Sequence, residues 1–385
     1  IKELIKNVEH VVKHEDIVYK AAINWVKHDL EKRKNYLAEL TSLIRLPLVS
    51  TEFLIDHIVA EPLLRKDHKC SQFLIEALTY QLKDSKHQLT KVTQLHEKCE
   101  TGTKHRNDSF HVFLVGGRRA YGMRIRECKV YDISKKKLAS ISSMNWDRRS
   151  NSAVSLNGLI YSVGGCPSGV MNTAECYDPA IKRWRIIAPM NRDRHSFGIC
   201  AYNALIYVVG GFSQCTHERY DPATNKWHLC QSIPETRPAF TRATVAENSV
   251  YSLTRAANGN NALFRFDPRD GKWFNLNEMP GLSYEYELVS YDRTLFAIKN
   301  ENCKRLDIRV NKWEPLPHML SNRYGFSAVI VAKDIYVFGG THDSQFVTSV
   351  ERFNIHNNEW TTFDSTQIEH NEGGAAVLSG DFDFN

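Results

Sequence analysis

Glycine is missing from the first 101 residues of this 385-residue chain and then returns, often in pairs. A stretch that long without glycine fits packed helices joined by tight polar connections. No run of 18 apolar residues is present, so no segment is long and apolar enough for a membrane-spanning helix. The opening Ile1-Lys2-Glu3-Leu4 lacks the apolar core of a secretion signal. It also lacks an initiator methionine, which predicts that the chain is a piece of something longer. Lys and Arg number 50 against 44 Asp and Glu, a net charge of +6. No basic block exceeds Lys135-Lys136-Lys137, so nucleic acid has no support as a partner.

The missing chemistry is equally informative. Nine cysteines (Cys70, Cys99, Cys128, Cys166, Cys176, Cys200, Cys215, Cys230, Cys303) form no CxxC pair and read as reduced thiols of a cytoplasmic or nuclear protein. HExxH, His-x-His, phosphate-loop, dinucleotide and GxSxG patterns are all absent. His10 and His14 could share a helix face, but no third ligand accompanies them. No metal, cofactor or catalytic residue is expected. At 42% hydrophobic and 24% charged residues, the chain still has ample material for a core.

Two periodicities divide what is present. Up to about residue 100 the spacing is helical: Ile17, Val18, Ala21, Ala22, Trp25 and Val26 make one apolar stripe. Leu37, Leu40, Leu43 and Ile44 make another, ended by Pro47. Ser50-Thr51-Glu52 reads as a fresh helix start before Phe53, Leu54 and Ile58. Phe73, Leu74, Ala77 and Leu78 mark one more helix, and residues 83–109 a last helix and a polar linker.

After about residue 110 short alternating runs take over, and they repeat. Diglycines stand at Gly116-Gly117, Gly164-Gly165, Gly210-Gly211 and Gly339-Gly340, each after an apolar run. Downstream, a tryptophan follows an acid by six residues at Asp178/Trp184, Asp221/Trp227, Asp267/Trp273 and Asp307/Trp313. Asp132/Leu138 and Asn354/Trp360 keep that spacing with one member changed. The steps between these acids or amide are 46, 43, 46, 40 and 47 residues. Arg148, Arg194 and Arg323 each precede the first glycine of a pair by 16 residues. Two repeats carry Thr254-Arg255 and Lys299-Asn300 where the glycines belong, which predicts local distortion of repeats four and five. The repeated acids sit where a carboxylate caps a turn, not where it would form a catalytic ring. The tryptophans, in fixed register with them, read as core packed between repeats. Trp146 lies outside that register, as an exposed anchor or a partly buried loop residue.

Diglycine, Tyr-Asp and Trp at this spacing resemble the Kelch motif. The resemblance implies six four-stranded blades of a β-propeller, with Gly374–Gly380 closing the ring as the strand that repeat one lacks. Residues 15–48 resemble the BACK domain, through Ala21-Ala22, Trp25-Val26, Arg33 and Arg45-Leu46-Pro47-Leu48. The fold class implied is α plus all-β, with a helical BACK domain at 1–105 and a six-bladed Kelch propeller at 106–385.

Together the two resemble the Kelch-like proteins, in which a BTB domain precedes BACK, dimerises and engages cullin-3 while the propeller recruits a substrate for ubiquitination. The resemblance implies a non-catalytic adaptor of cytoplasmic, nuclear or cytoskeletal location, with a protein substrate, cullin-3 and a homodimer through BTB as partners. Actin binding without a ligase role is the alternative.

The family's substrate contacts fall just after the diglycine and at or after the motif arginine. Carried over, the first set is Arg118, Cys166, Phe212 and Thr341. The second is Arg148, Arg149, Arg194, His195, Tyr284, Arg323, Tyr324 and Asn371. Arginine forks suit carboxylates, so an acidic peptide is the expected ligand. Arg148, Arg194 and Arg323 belong to the repeat itself, so hydrogen bonding between blades competes as their role. Cys166 and Cys215 invite a redox reading, but neither has a cluster that would lower its pKa.

Overall fold

A computed structural model describes residues 15–74 and 109–385, apart from 45, 47–48, 50–52, 60, 68, 71–72, 120–124, 167–168, 236–237, 282–284, 366–367, 381, 383 and 385. The chain forms two compact units, Ile1–His105 and Arg106–Asn385. In the first, a helix over Glu15–His28 turns through the short helix Leu30–Arg33 into Leu37–Ser42. Leu54–Val59 then winds as a π-helix and Pro62–Lys66 as an α-helix. Val18, Tyr19, Ala22, Ile23 and Val26 bury against Leu37, Leu40, Leu54 and Ile58. Each of the Val, Leu and Ile side chains among them contributes about 1.5–3 kcal/mol when withdrawn from water.

The stripe on the first helix differs from the sequence expectation at one edge. Ala21 faces solvent, and Tyr19 and Ile23 take the buried places. Arg33 has a clear reason to stand eight residues after Trp25: its Nη1 donates to the Trp25 carbonyl at 3.0 Å and its guanidinium lies 4.5 Å over the indole. Arg45, Pro47, Leu48, Ser50-Thr51-Glu52, Ala77, Leu78 and residues 83–108 lie outside the described residues.

The second unit is a ring of six antiparallel four-stranded blades. Their inner strands are Gly374–Ser379, Ser152–Leu156, Gly198–Tyr202, Ala239–Ala246, Glu287–Tyr291 and Ser327–Val331, for blades one to six. Each inner strand packs on the next, and the sixth packs on the first. Closure follows the sequence expectation. Gly374–Ser379 pairs in full register with Phe110–Val115, so blade one joins both parts of the unit and leaves no open edge. The seam is reinforced where Lys136 Nζ donates to the Phe363 carbonyl at 2.7 Å and where Tyr131 hydrogen-bonds Asp364.

The repeated residues each do one structural job. Asp132, Asp178, Asp221, Asp267 and Asp307 accept from a backbone N–H two residues on at 2.9–3.0 Å, capping the outer turn. The indole N–H of each tryptophan donates to a carbonyl of the preceding blade: Trp184 to Ser142, Trp227 to Ala188, Trp273 to Gln231, Trp313 to Asn277 and Trp360 to Pro317. Blade four departs from the pattern as expected, with a bulge between Ala239 and Arg242. Blade five does not. Its ladders run in register from Glu287 to Pro315, so losing the diglycine leaves its strands intact.

Candidate functional site

The mouth of the ring is assembled from the two motif positions, and backbone hydrogen bonds join them. The residue after the diglycine donates its N–H to the carbonyl of the residue after the motif position. Arg118 donates to Asn371 at 2.9 Å, Cys166 to Arg149 at 2.9 Å, Phe212 to His195 at 3.1 Å and Thr341 to Tyr324 at 2.8 Å. The second glycine reaches the next blade, Gly117 to the Arg148 carbonyl, Gly165 to Arg194 and Gly340 to His370. Glycine is required at this approach. Gly164 has φ +59°, and a Cβ there would stand 2.6 Å from the Arg194 carbonyl oxygen.

A further regularity rings the mouth. Ser150, Ser196, Phe240, Glu285, Gly325 and Glu372 occupy one position of the six blades, and all have φ between +50° and +68°. Only one is glycine, and each of the others carries a cost on the order of 1–2 kcal/mol. Hydrogen bonds between blades offset it: Glu372 N to Gly325 O, Ser150 N to Glu372 O, Ser196 N to Ser150 O and Thr241 N to Ser196 O. Among the described residues, no such bond continues through Glu285. There the Arg242 Nε–Glu287 Oε1 pair at 2.7 Å ties blade four to blade five.

Arg148, Arg194 and Arg323 take the structural role of the two that the sequence left open, and their side chains do not reach the cavity. Their side chains have 0% exposure. Each donates to the first glycine's carbonyl, to a Thr or Ser carbonyl and hydroxyl, and to Glu175, Glu218 or Glu351. The same glutamates accept from the loop N–H groups of Asn145 and Trp146, Asn191 and Arg192, or Leu320 and Ser321. The arginines therefore hold the rim loops from behind. Desolvation pulls their pKa values down, and the glutamates oppose that shift.

Arg118, Arg149, Cys166, His195, Phe212, Tyr324, Thr341 and Asn371 line one cavity of about 520 Å3. Phe212 and Tyr324 are half-exposed, while Asn371 is buried, its carbonyl taken by the Arg118 N–H. Tyr284 lies outside the described residues. His195 stacks on Phe212 with ring centroids 5.5 Å apart, and Phe240 meets Phe212 edge-on at 6.1 Å. Burial and the neighbouring Arg149 charge push the His195 pKa down. Arg118 pairs with Glu372 at 3.0 Å. Phe240, Arg242, Glu285, Glu287 and Glu372 also line the cavity and were not picked out by sequence. Trp146 is exposed and stands outside this cavity. Burial raises the Cys128 thiol to about 12, which makes it a poor nucleophile. No group of three or more metal-binding side chains occurs among the described residues. None of their helices is long and apolar enough to cross a membrane.

Fold and rim together define a six-bladed Kelch propeller preceded by a BACK-like helical region. The family model "BTB And C-terminal Kelch" matches residues 1–59. The Kelch motif matches 147–191, 193–234 and 322–365, which are the blades that keep arginine, diglycine and tryptophan together. The chain is related to the Kelch-like proteins. It is 30% identical to Kelch-like protein 3 of Danio rerio over 42% of its length, and 30% identical to Kelch-like protein 17 of Homo sapiens over 38%. These matches span only 26% and 22% of the relatives' own lengths. The solved structure described as "Structure of YjhT" shares the fold, with a TM-score of 0.56 at 14% identity, over 64% of this chain and 96% of that one.

Proposed function

We propose that this chain is the partner-binding portion of a Kelch-like substrate adaptor, with residues 106–385 holding a protein ligand at the propeller mouth. Residues 1–105 serve as the BACK domain that links the propeller to a BTB domain and, through it, to a cullin-3 RING ubiquitin ligase in the cytoplasm. The chain itself catalyses nothing in this reading. One observation carries the proposal: Arg149, His195, Phe212 and Tyr324 come from three blades to a single open cavity, on loops fixed by repeated backbone bonds. Arginine and tyrosine around an aromatic anchor are the side chains that dominate protein interfaces. Arg118 and Arg149 suit a short acidic motif.

Co-precipitation of the full-length protein with cullin-3 tests the ligase connection, and association is the expected result. If cullin-3 is absent and the protein sediments with filamentous actin, the ligase reading fails and the actin alternative replaces it.

A further inference from the structure

The cavity's charges are unevenly paired. Arg118 is neutralised by Glu372 at 3.0 Å, and Arg242 by Glu287 at 2.7 Å. Among the described residues, Arg149 and Glu285 are the cavity-lining arginine and acid that have no ion pair. Lys299 lies within electrostatic reach of Glu285 but does not line the cavity. Arg149 belongs to blade two and Glu285 to blade five, which are opposite in a closed ring of six. Along the arc from blade two to blade five lie His195, Phe212 and Phe240, an aromatic surface with Phe212 51% exposed. The order along the rim is therefore positive, aromatic, negative.

We propose that the ligand is a bipolar peptide segment, with an acidic residue at Arg149, an aromatic or aliphatic side chain on Phe212 and Phe240, and a basic residue at Glu285. The inference rests on the mouth being the binding site, and it narrows the acidic motif proposed above. A uniformly acidic segment would meet Glu285 with like charge, which discriminates against it by repulsion. Both residues are half-buried at the mouth, and complementary charge across an interface sets orientation and specificity more than raw affinity.

A random peptide library displayed on phage and selected against the whole chain tests this. Expected are peptides with an acidic and a basic residue flanking an aromatic or aliphatic one. Glu285→Lys should weaken them about tenfold and, in a fresh selection, favour peptides acidic at both ends. Peptides acidic throughout, bound equally or more tightly by Glu285→Lys, would overturn the bipolar ligand and leave the mouth assignment standing. Binding unaffected by both Arg149→Glu and Phe212→Ala would overturn the mouth assignment itself. Failure to enrich any peptide would count against both. Thermal melts of the variants separate lost binding from lost folding.

Discussion

Two residues of the same type, adjacent in sequence, have opposite roles at the rim. Arg148 is buried with its forked end satisfied by Gly164, Thr173 and Glu175, whereas Arg149 is half-buried and lines the cavity. Removing one partner of a buried ion pair leaves the other charge uncompensated, at a cost of about 3–5 kcal/mol. Glu218→Ala, which strands Arg194, should lose stability on that scale in denaturant unfolding. Arg149→Ala should stay within about 0.5 kcal/mol. Equal effects would contradict the division of labour between the two positions.

His370 takes the motif arginine's place where blade six meets blade one, with its Nε2 3.0 Å from Ser327 Oγ. Burial, with Lys129 nearby, lowers its pKa to about 4, and burial lowers that of His217 to about 3. The unfolded chain therefore takes up protons near pH 6.5 that the folded chain refuses. Stability is retained above that pH and falls as pH drops toward 4 and 3, by about 1.4 kcal/mol per pH unit for each histidine. Melting temperatures between pH 7 and 5 should show this decline, and His370→Gln should flatten it. An unchanged slope in the variant would rule His370 out as a source.

At the scale of the element, the closing strand matters most. Gly374–Ser379 supplies blade one's inner strand, and Phe382 and Phe384 pack beyond it on His111, with Phe384 also on Phe113. Deleting residues 373–385 should leave blade one without its inner strand, the one that packs on those of blades two and six, and abolish cooperative unfolding of the whole ring, read by calorimetry. A truncated propeller that melts like the full one would contradict closure by this strand.

The same scale explains what was legible in the sequence. Aspartate, tryptophan and diglycine could be read because each makes the same contact in successive blades at fixed spacing. The glutamates that hold the arginines escaped notice. Their Thr/Ser-x-Glu signal begins eight, five and nine residues after the second glycine (165 to 173, 211 to 216, 340 to 349), because the intervening loop changes length. Phe240 and Arg242 were hidden for another reason. The bulge in blade four offsets the register that would have flagged them, and that blade has neither diglycine nor arginine to count from. Recurrence marked Arg148, Arg194 and Arg323 as repeat residues but left both roles open, since sequence spacing gives the position of a side chain on the loop and not its direction.

At the scale of the whole molecule, the propeller is a closed ring whose mouth differs from blade to blade. Core contacts repeat, while the mouth presents Arg118, Arg149, His195, Phe212, Glu285 and Tyr324 in turn. A closed scaffold lets those loops vary without altering the packing that holds the strands. The most direct test is quantitative affinity proteomics on the full-length protein, comparing wild type with the Arg149→Ala/Tyr324→Ala double variant. The account predicts that a defined set of partners is lost from the variant while cullin-3 is recovered equally from both. An unchanged partner set from a folded variant would contradict the claim that the propeller mouth is where this protein binds.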